Sequence, residues 1–447
     1  MSAWAAAAAG GSVAATALVS RRLATTPVSG PMVLVAVGLA CGPVGLDLVD
    51  IDVSRDSEAV TLLLELALVS VLFTDAAGVR WSVLRRDDAL SLRLLGLGLP
   101  LTMVLGAIGA WLLLPGFTIW ELALIAVILA PTDAALGQPA IADPRVPATV
   151  RQGLNVESGL NDGIALPFFV VLLAAATGDT DSAGAAEVFL LALGLSTAVG
   201  VVVGHLGARL LASTTARGWV SDEWRRVPAL MFAALAYVVT VSLDGSGFIA
   251  AWVTGLTFGV VWRRTVPPPD AATAGPQSVV GLSEELGDLL ASLSFFAFGA
   301  VLLGPALSAV GWRTSLYAIL SLTLVRMLPV AVALIGSRFR QATVLYVGWF
   351  GPRGLASIVF ALLLLEDGPP SAELLVDVVS LTVGLSVLLH GATAAWAAGR
   401  YAAWHAVAAA ADPDLREGPA DPVPPPPARG TLPATDSSAD SGPRLPR

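Results

Sequence analysis

Lysine is absent from this sequence: all 25 basic residues are arginine, so any cation in a protein site must be a guanidinium. A single cysteine, Cys41, excludes an intrachain disulfide and a thiolate metal cluster. The three histidines, His205, His390 and His405, are scattered and fit neither a haem pair nor a zinc triad, so they read as helix-end or tail residues. Charged residues make up only 13% of the chain against 55% hydrophobic, with a mean hydropathy of +0.78. That profile points to a polytopic integral membrane protein rather than a soluble domain. The net charge of −9 is spread over loops and a tail without forming a block, and implies no basic partner. No nucleic-acid partner and no cofactor are expected.

What is there in abundance is apolar runs. Reading for stretches of roughly 17–25 residues gives about thirteen spans. They lie near 3–20, 30–47, 58–76, 91–114, 117–137, 147–176, 187–211, 228–243, 247–262, 285–304, 312–336, 342–365 and 374–398. The expected fold class is therefore all-α and polytopic. The Met-Ser start lacks a basic n-region, which argues against a cleaved signal peptide. Arginines recur in the connections after odd-numbered spans (Arg21, Arg22, Arg80, Arg85, Arg86, Arg145, Arg151, Arg209, Arg217, Arg225, Arg226, Arg263, Arg264, Arg338, Arg340). The connections after even-numbered spans hold few; the one after the second carries Arg55 amid Asp47, Asp50, Asp52, Asp56 and Glu58. Cytoplasmic loops carry the excess of arginine, which puts the N-terminus outside and the C-terminus in the cytoplasm of a cell (plasma) membrane protein. From 411 to 447, with its run of prolines, the chain is expected to bury no core and to be a disordered cytoplasmic tail. Trp81–Arg86 and Thr265–Leu282 read as cytoplasmic connections.

Three acidic residues, Asp133, Glu157 and Asp162, lie inside or at the edge of apolar spans. A charge at the bilayer centre costs about 2.5–3.5 kcal/mol on insertion scales, so such residues mark a functional site. Two spans are interrupted near their middles. The fifth breaks around Ala130-Pro131-Thr132-Asp133 and the twelfth around Gly351-Pro352-Arg353-Gly354, because proline removes a donor and clashes with the preceding turn. Non-helical backbone at membrane depth survives only where protein or a water-filled cavity covers it. With the seventh span as linker, the two breaks occupy corresponding places in two halves of about six spans running inverted, the pattern that marks a secondary transporter's binding site.

On the sixth span, Glu157 and Asn161 are one turn apart on one face, and Ser158 and Asp162 one turn apart on the next. The Ser158/Asp162 stripe supplies hard oxygen ligands for a small alkali cation, and Asp133 with carbonyls near Thr132 can complete the shell. Arg326, midway along the eleventh span, needs a buried anion. Glu157 is the expected bidentate partner, with Asn161 filling the remaining hydrogen bonds, which leaves Asp133 and Asp162 for the ion.

The segments TDAALG, ESGLNDG and GPRG, with the arginine of LTLVRML, resemble the NhaP-type sodium/proton antiporters of the cation:proton antiporter-1 family, over nearly all of residues 1–400. The resemblance implies that Asp162 is the carboxylate for which Na⁺ and H⁺ compete, and that Asp133, Thr132 and Ser158 help hold the ion. It makes Glu157, Asn161 and Arg326 a supporting polar cluster. Pro131, Gly351, Pro352 and Arg353 belong to the helix breaks, with Arg353 structural or neutralising a helix end. Glu65, in the third span, matches an acidic position of some members and is placed near the ion through water. The pair Asn161-Asp162 is the family's most specific mark, where an electrogenic sister family carries two aspartates. The commonest fifth-span motif, Thr-Asp-Pro, is here Thr132-Asp133-Ala134 with the proline displaced to Pro131. The resemblance further implies a homodimer. In it a core bundle, about 91–176 and 312–398, moves in elevator-like fashion against an interface bundle, about 3–76 and 187–304, within a transmembrane domain over 1–410.

The expected activity is electroneutral exchange of Na⁺ for H⁺, serving pH and sodium homeostasis. A K⁺/H⁺ antiporter of the same fold is the alternative, and the residues do not choose among Na⁺, Li⁺ and K⁺. An intramembrane aspartyl hydrolase using Asp133 and Asp162 is the rival from another class. It needs neither Arg326 nor a second broken helix, and the chain lacks the Gly-x-Gly-Asp signature. A passive channel is disfavoured because carboxylates paired with arginine make a poor open pore.

Overall fold

The computed structural model describes residues 3–23, 26–49, 57–79, 90–133, 135–137, 141, 143–178, 182–266, 276–412 and 414–418. Among them the protein is all-helical and polytopic. The helices are α1 (Ala3–Leu18), α2 (Gly30–Cys41), α3 (Ser57–Gly78), α4 (Leu90–Leu113), α5 (Ile119–Ile128), α6 (Ala148–Thr177) and α7 (Ser182–Ala216). They continue as α8 (Val227–Val241), α9 (Gly247–Thr265), α10 (from Pro276, through a π-helical stretch at Phe298–Leu303, to Ser308), α11 (Trp312–Ala333), α12 (Gln341–Trp349), α13 (Leu355–Asp367) and α14 (Ala372–Ala411). Seven of these segments are long and apolar enough to cross a membrane, and α1, α2 and α5 are shorter apolar helices.

Packing sorts the helices into two groups. Helices α1–α3 and α7–α10 pack chiefly on one another, and α4–α6 pack with α11–α14. Small residues allow the closest approaches. A Cβ at Gly255 or Gly259 of α9 would overlap the carbonyls of Phe73 or Ala77 on α3, the small-residue contact by which apolar helices associate without a hydrophobic drive. The groups meet where α6 and α13 lean on α3, where α14 packs on α10 and α2, and where α6 touches α7 and α9.

Both expected breaks are present. Helix α5 starts on a capping box in which Thr118 Oγ1 accepts from the Glu121 N–H and the Glu121 side chain accepts from the Thr118 N–H. It ends at Ile128, because Pro131 has no N–H for the Val127 carbonyl and biases Ala130 away from helix. Helix α12 ends at Trp349 and α13 begins at Leu355, with Pro352 in the extended segment between them. An unexpected break divides α11 at Thr323 (φ −112°, ψ −89°), so that Arg326 lies in the first turn of the short helix Leu324–Ala333.

The C-terminal end departs from expectation. Helix α14 runs on to Ala411, carried by an alanine-rich stretch of high helix propensity. Asp412 and residues 414–418 then fold back on the helical domain. Glu417 is fully buried; its Oε1 accepts from the Arg340 N–H (2.9 Å) and the Thr343 hydroxyl (2.6 Å). Leu415 is buried, the Arg416 guanidinium lies over the Phe339 ring, and Asp412 pairs with Arg340 at 2.9 Å. These contacts, with His405 Nε2 lying 3.0 Å from the Gly418 carbonyl, anchor a segment whose composition reads as unstructured. The rest of the expected tail, 419–447, lies outside the described residues, as do the expected connection at Trp81–Arg86, part of that at Thr265–Leu282, and Arg55, Arg80, Arg85 and Arg86. Helix α10 starts at Pro276, inside the stretch read as a loop.

Candidate functional site

Helix α6 carries the centre of the site. Glu157, Ser158, Asn161 and Asp162 are all buried. Glu157 and Arg326 form the expected bidentate pair, Arg326 Nη1 to Glu157 Oε1 at 2.6 Å and Nη2 to Oε2 at 2.9 Å, with 1% and 2% of the side chains exposed. Each charge therefore satisfies the other in a medium that would penalise either alone.

Asn161 does something other than expected. Its Nδ2 donates to Thr132 Oγ1 at 2.7 Å, and Thr132 Oγ1 also lies 3.1 Å from Ser158 Oγ. The amide thus ties α6 to the broken end of α5 instead of supporting the guanidinium, whose Nε has no partner. The reason is positional: Glu157 already takes both terminal nitrogens of Arg326, and Thr132 stands within reach on the other side.

The breaks are stitched to each other. The Asp133 N–H donates to the Pro352 carbonyl (2.8 Å), Asp133 Oδ2 accepts from the Leu355 N–H (2.8 Å) and Oδ1 from the Ala135 N–H (2.8 Å). Asp133 therefore neutralises the N-terminus of α13. Reciprocally, Arg353 Nη1 donates to the carbonyls of Ala130 (2.9 Å) and Pro131 (3.1 Å), beyond the C-terminus of α5. Its backbone N–H donates to Ser386 Oγ (2.7 Å), and Ser386 lies 3.1 Å from His390 Nδ1. Fully buried, Arg353 serves as the helix-end cation. His390, read from sequence as peripheral, is buried in α14 behind it.

Asp162 contrasts with both other acids. Its Oδ1 is buried without a hydrogen-bond partner, and the residue lines a cavity of about 290 Å³ together with Thr132, Asp133 and Ser158. The opposite wall is supplied by α3 and α10, with Asp75, Glu284 and Asp288. Two turns beyond Asp162, Phe169 of α6 stacks on Phe360 of α13 with ring centroids 4.6 Å apart.

Glu65 is not in this cavity. It accepts a hydrogen bond from Tyr237 and faces Glu366 and Asp367. Ten residues separate it from Asp75 on the same helix, about 15 Å along the axis. Asp75 is the third-span acid that reaches the site, packed against Gly159, where an added Cβ would stand 3.1 Å from Asp75 Cβ. The insertion penalty that flags Asp133 and Asp162 applies equally to Asp75, and was the available signal.

The fold and site define a polytopic helical membrane protein with two interrupted segments crossing beside a buried, unpaired carboxylate. The family profile described as sodium/hydrogen exchanger, transmembrane, matches residues 11–399, and the chain belongs to that family. Among curated relatives, the K(+)/H(+) antiporter NhaP2 of Shewanella sp. (strain MR-4) is 25% identical over 375 residues, covering 82% of this chain and 62% of the relative. The K(+)/H(+) antiporter NhaP of Alkalimonas amylolytica is 25% identical over 407 residues (88% and 64%). The Na(+)/H(+) antiporter of Schizosaccharomyces pombe is 24% identical over 318 residues (63% and 65%). This chain thus spans a little over six tenths of the length of the relatives it matches. The solved sodium proton antiporter MjNhaP1 from Methanocaldococcus jannaschii at pH 8 superposes with a TM-score of 0.72 at 21% identity, covering 89% of this chain and 98% of that one; this chain has the same fold.

Proposed function

We propose that this chain is a secondary active transporter that exchanges a monovalent cation, Na⁺ in the first reading, for H⁺ across the cell membrane. The observation that carries the reading is Asp162: a buried carboxylate with an unpartnered oxygen, in a cavity shared with the Thr132 and Ser158 hydroxyls, beside a Glu157 already neutralised by Arg326.

Transport then follows from competition. Burial favours the protonated form of a carboxylate and a bound cation favours the ionised form. The site carries either a proton or a metal ion and is near neutral in both states. The empty, anionic site is the one that does not cross, because moving it exposes a bare charge to low dielectric. With Glu157 spoken for, one proton exchanges for one cation and the cycle is electroneutral. Asp162, Ser158 and Thr132 contact the ion in this reading. Asp133 also faces the cavity, but both its oxygens accept backbone N–H groups, which makes it chiefly the group that holds the break in place.

The finer architecture belongs to the same proposal. The two helix groups act as core (α4–α6 and α11–α14) and interface (α1–α3 and α7–α10), the core moving elevator-like in a homodimer. Thirteen spans form two inverted repeats with the N-terminus outside, a reading supported by the reciprocal caps at Asp133 and Arg353. Physiologically the exchange serves pH and sodium homeostasis. K⁺ in place of Na⁺ is the second reading, favoured because the matched Shewanella and Alkalimonas relatives are named K(+)/H(+) antiporters.

The test is pH-gradient dequenching in proteoliposomes with Na⁺, Li⁺ and K⁺ in turn, on the wild type and Asp162→Asn. The mutant is expected to be inactive with every cation; a wild-type response overturns the assignment. An imposed membrane potential is expected to leave the wild-type rate unchanged.

A further inference from the structure

The cavity wall opposite Asp162 comes from the helices that are not part of the proposed moving core. On α10 the lining residues Val280, Ser283, Glu284, Gly287, Asp288 and Ala291 fall at the spacing of one helical face. Glu284 and Asp288 stand one turn apart on that face and are exposed at its mouth. Two like charges at this spacing destabilise a helix, and neither acid has an ion-pair partner among the described residues. Gly287, between them, keeps the face flat against Ser70 and Val71 of α3.

A second observation points inward from the same stripe. Ser283, with no exposed surface, lines the cavity and its hydroxyl finds no hydrogen-bond partner. The buried hydroxyl of Thr74, on the adjoining wall of α3, is likewise unpartnered. The wall thus offers two hydroxyls with nothing to bond and two carboxylates with nothing to neutralise them, all hard oxygen groups of the kind an alkali cation prefers. No three acids among the described residues close round an ion, so the arrangement suits a hydrated cation held loosely.

We propose that Ser283, Glu284 and Asp288 of α10 form a fixed cation-collecting station that loads the Asp162 cavity from the side on which it opens. Carboxylates at the mouth of a cleft with low-dielectric walls raise the local counter-ion concentration by about 10- to 1,000-fold. Because the station stays with the interface helices, it serves the carboxylate of Asp162 only while that carboxylate faces the mouth. The affinity of the transporter for its cation is then higher from that side than from the other, without any change in the Asp162 site itself.

The inference rests on the proposed exchange, and sidedness is what tests it. Exchange is measured against Na⁺ and K⁺ concentration in proteoliposome populations of both orientations, for the wild type, Glu284→Gln, Asp288→Asn and the double variant. Glu285→Gln removes the same charge from a neighbouring position that does not line the cavity. The double variant is expected to raise the cation KM on the mouth side roughly three- to tenfold. On the other side KM stays unchanged, as does the rate at saturating cation, and raising the ionic strength shrinks the difference. Glu285→Gln is expected to behave as wild type. Equal KM changes on both sides, no change on either, or the same effect from Glu285→Gln overturns the station. Failure of the exchange reading shows elsewhere, as a wild-type response from Asp162→Asn. Thermal unfolding of each variant, expected at or above the wild-type temperature because a like-charge pair is relieved, separates lost loading from lost fold.

Discussion

Gly354 and Asp133, 221 positions apart in the chain, share one space: a Cβ on the glycine would overlap the aspartate's carboxylate. Gly354 has φ −151° and ψ −127°, outside the left-handed region and neither helical nor extended. What requires glycine there is the close approach of the acid that caps α13. Gly351 stands in the same relation to the Arg326 guanidinium.

Gly354→Ala is therefore expected to push Asp133 off the Leu355 N–H. Exchange should fall at least tenfold while the protein still inserts and purifies, because the displaced groups are few and local. Transport assays with a parallel size-exclusion profile check this. Full activity in the alanine variant would mean that the crossing yields more easily than its geometry indicates.

Removing one partner of the Glu157–Arg326 pair leaves a bare charge in the core, at a cost of about 3–5 kcal/mol. Arg326→Ala and Glu157→Ala should each lower the unfolding temperature markedly, and the double variant should be less damaged than the sum of the two. Arg326→Lys should not rescue, since an ammonium cannot reproduce two parallel bonds to one carboxylate. Scanning fluorimetry of the four variants in detergent measures all of this.

Asp133 and Asp162 should separate under the same substitution. Asp133→Asn keeps one acceptor oxygen for two N–H donors, and loses a charge-assisted bond worth about 1.5–3 kcal/mol, so it should be thermally weakened. Asp162→Asn breaks no hydrogen bond to Oδ1 and should unfold near the wild-type temperature while abolishing exchange. The opposite ranking of the two melting temperatures would contradict the assigned roles.

In the third span the two acids make opposite forecasts. Asp75→Asn should raise the cation KM, since Asp75 lines the cavity. Glu65→Gln, about 15 Å away along the helix, should leave KM unchanged. Concentration dependence of exchange distinguishes them directly.

Glu417→Ala strips the acceptor from the Arg340 N–H and the Thr343 hydroxyl, at about 1–3 kcal/mol. Glu417→Gln retains an acceptor oxygen and should cost less. Truncation after Asp412 should match the alanine variant in thermal stability, and a truncation no less stable than the wild type would remove any anchoring role for residues 414–418.

The legible parts of this molecule were those where one residue type has few physical options. Arg326 in an apolar span had to find a carboxylate, and Glu157 was the acid at the right depth. Pro131 and Pro352 had to interrupt their helices. Less legible were choices between equivalent partners. Asn161 could serve Arg326 or Thr132, and spacing along one helix does not say which neighbour packs nearer. Glu65 and Asp75 sit in the same span with the same insertion cost, and only the packing of α3 on α6 separates them. The docking of residues 414–418 rests on a few side chains, Glu417 and Leu415 foremost, in a tail otherwise rich in proline, and composition averaged over such a tail conceals them.

Because Asp133 belongs to one interrupted segment and caps the other, while Arg353 does the reverse, the two breaks are riveted together. Parting them would strand the Ala130 and Pro131 carbonyls and the Leu355 amide in an apolar interior, at several kcal/mol for each orphaned group. Under the proposed exchange, a cation seated at Asp162 rides with both half-helices as one rigid piece. Any hinge or sliding surface must be sought at the edges of that piece, where α6 and α13 lean on α3 and α14 packs on α10 and α2.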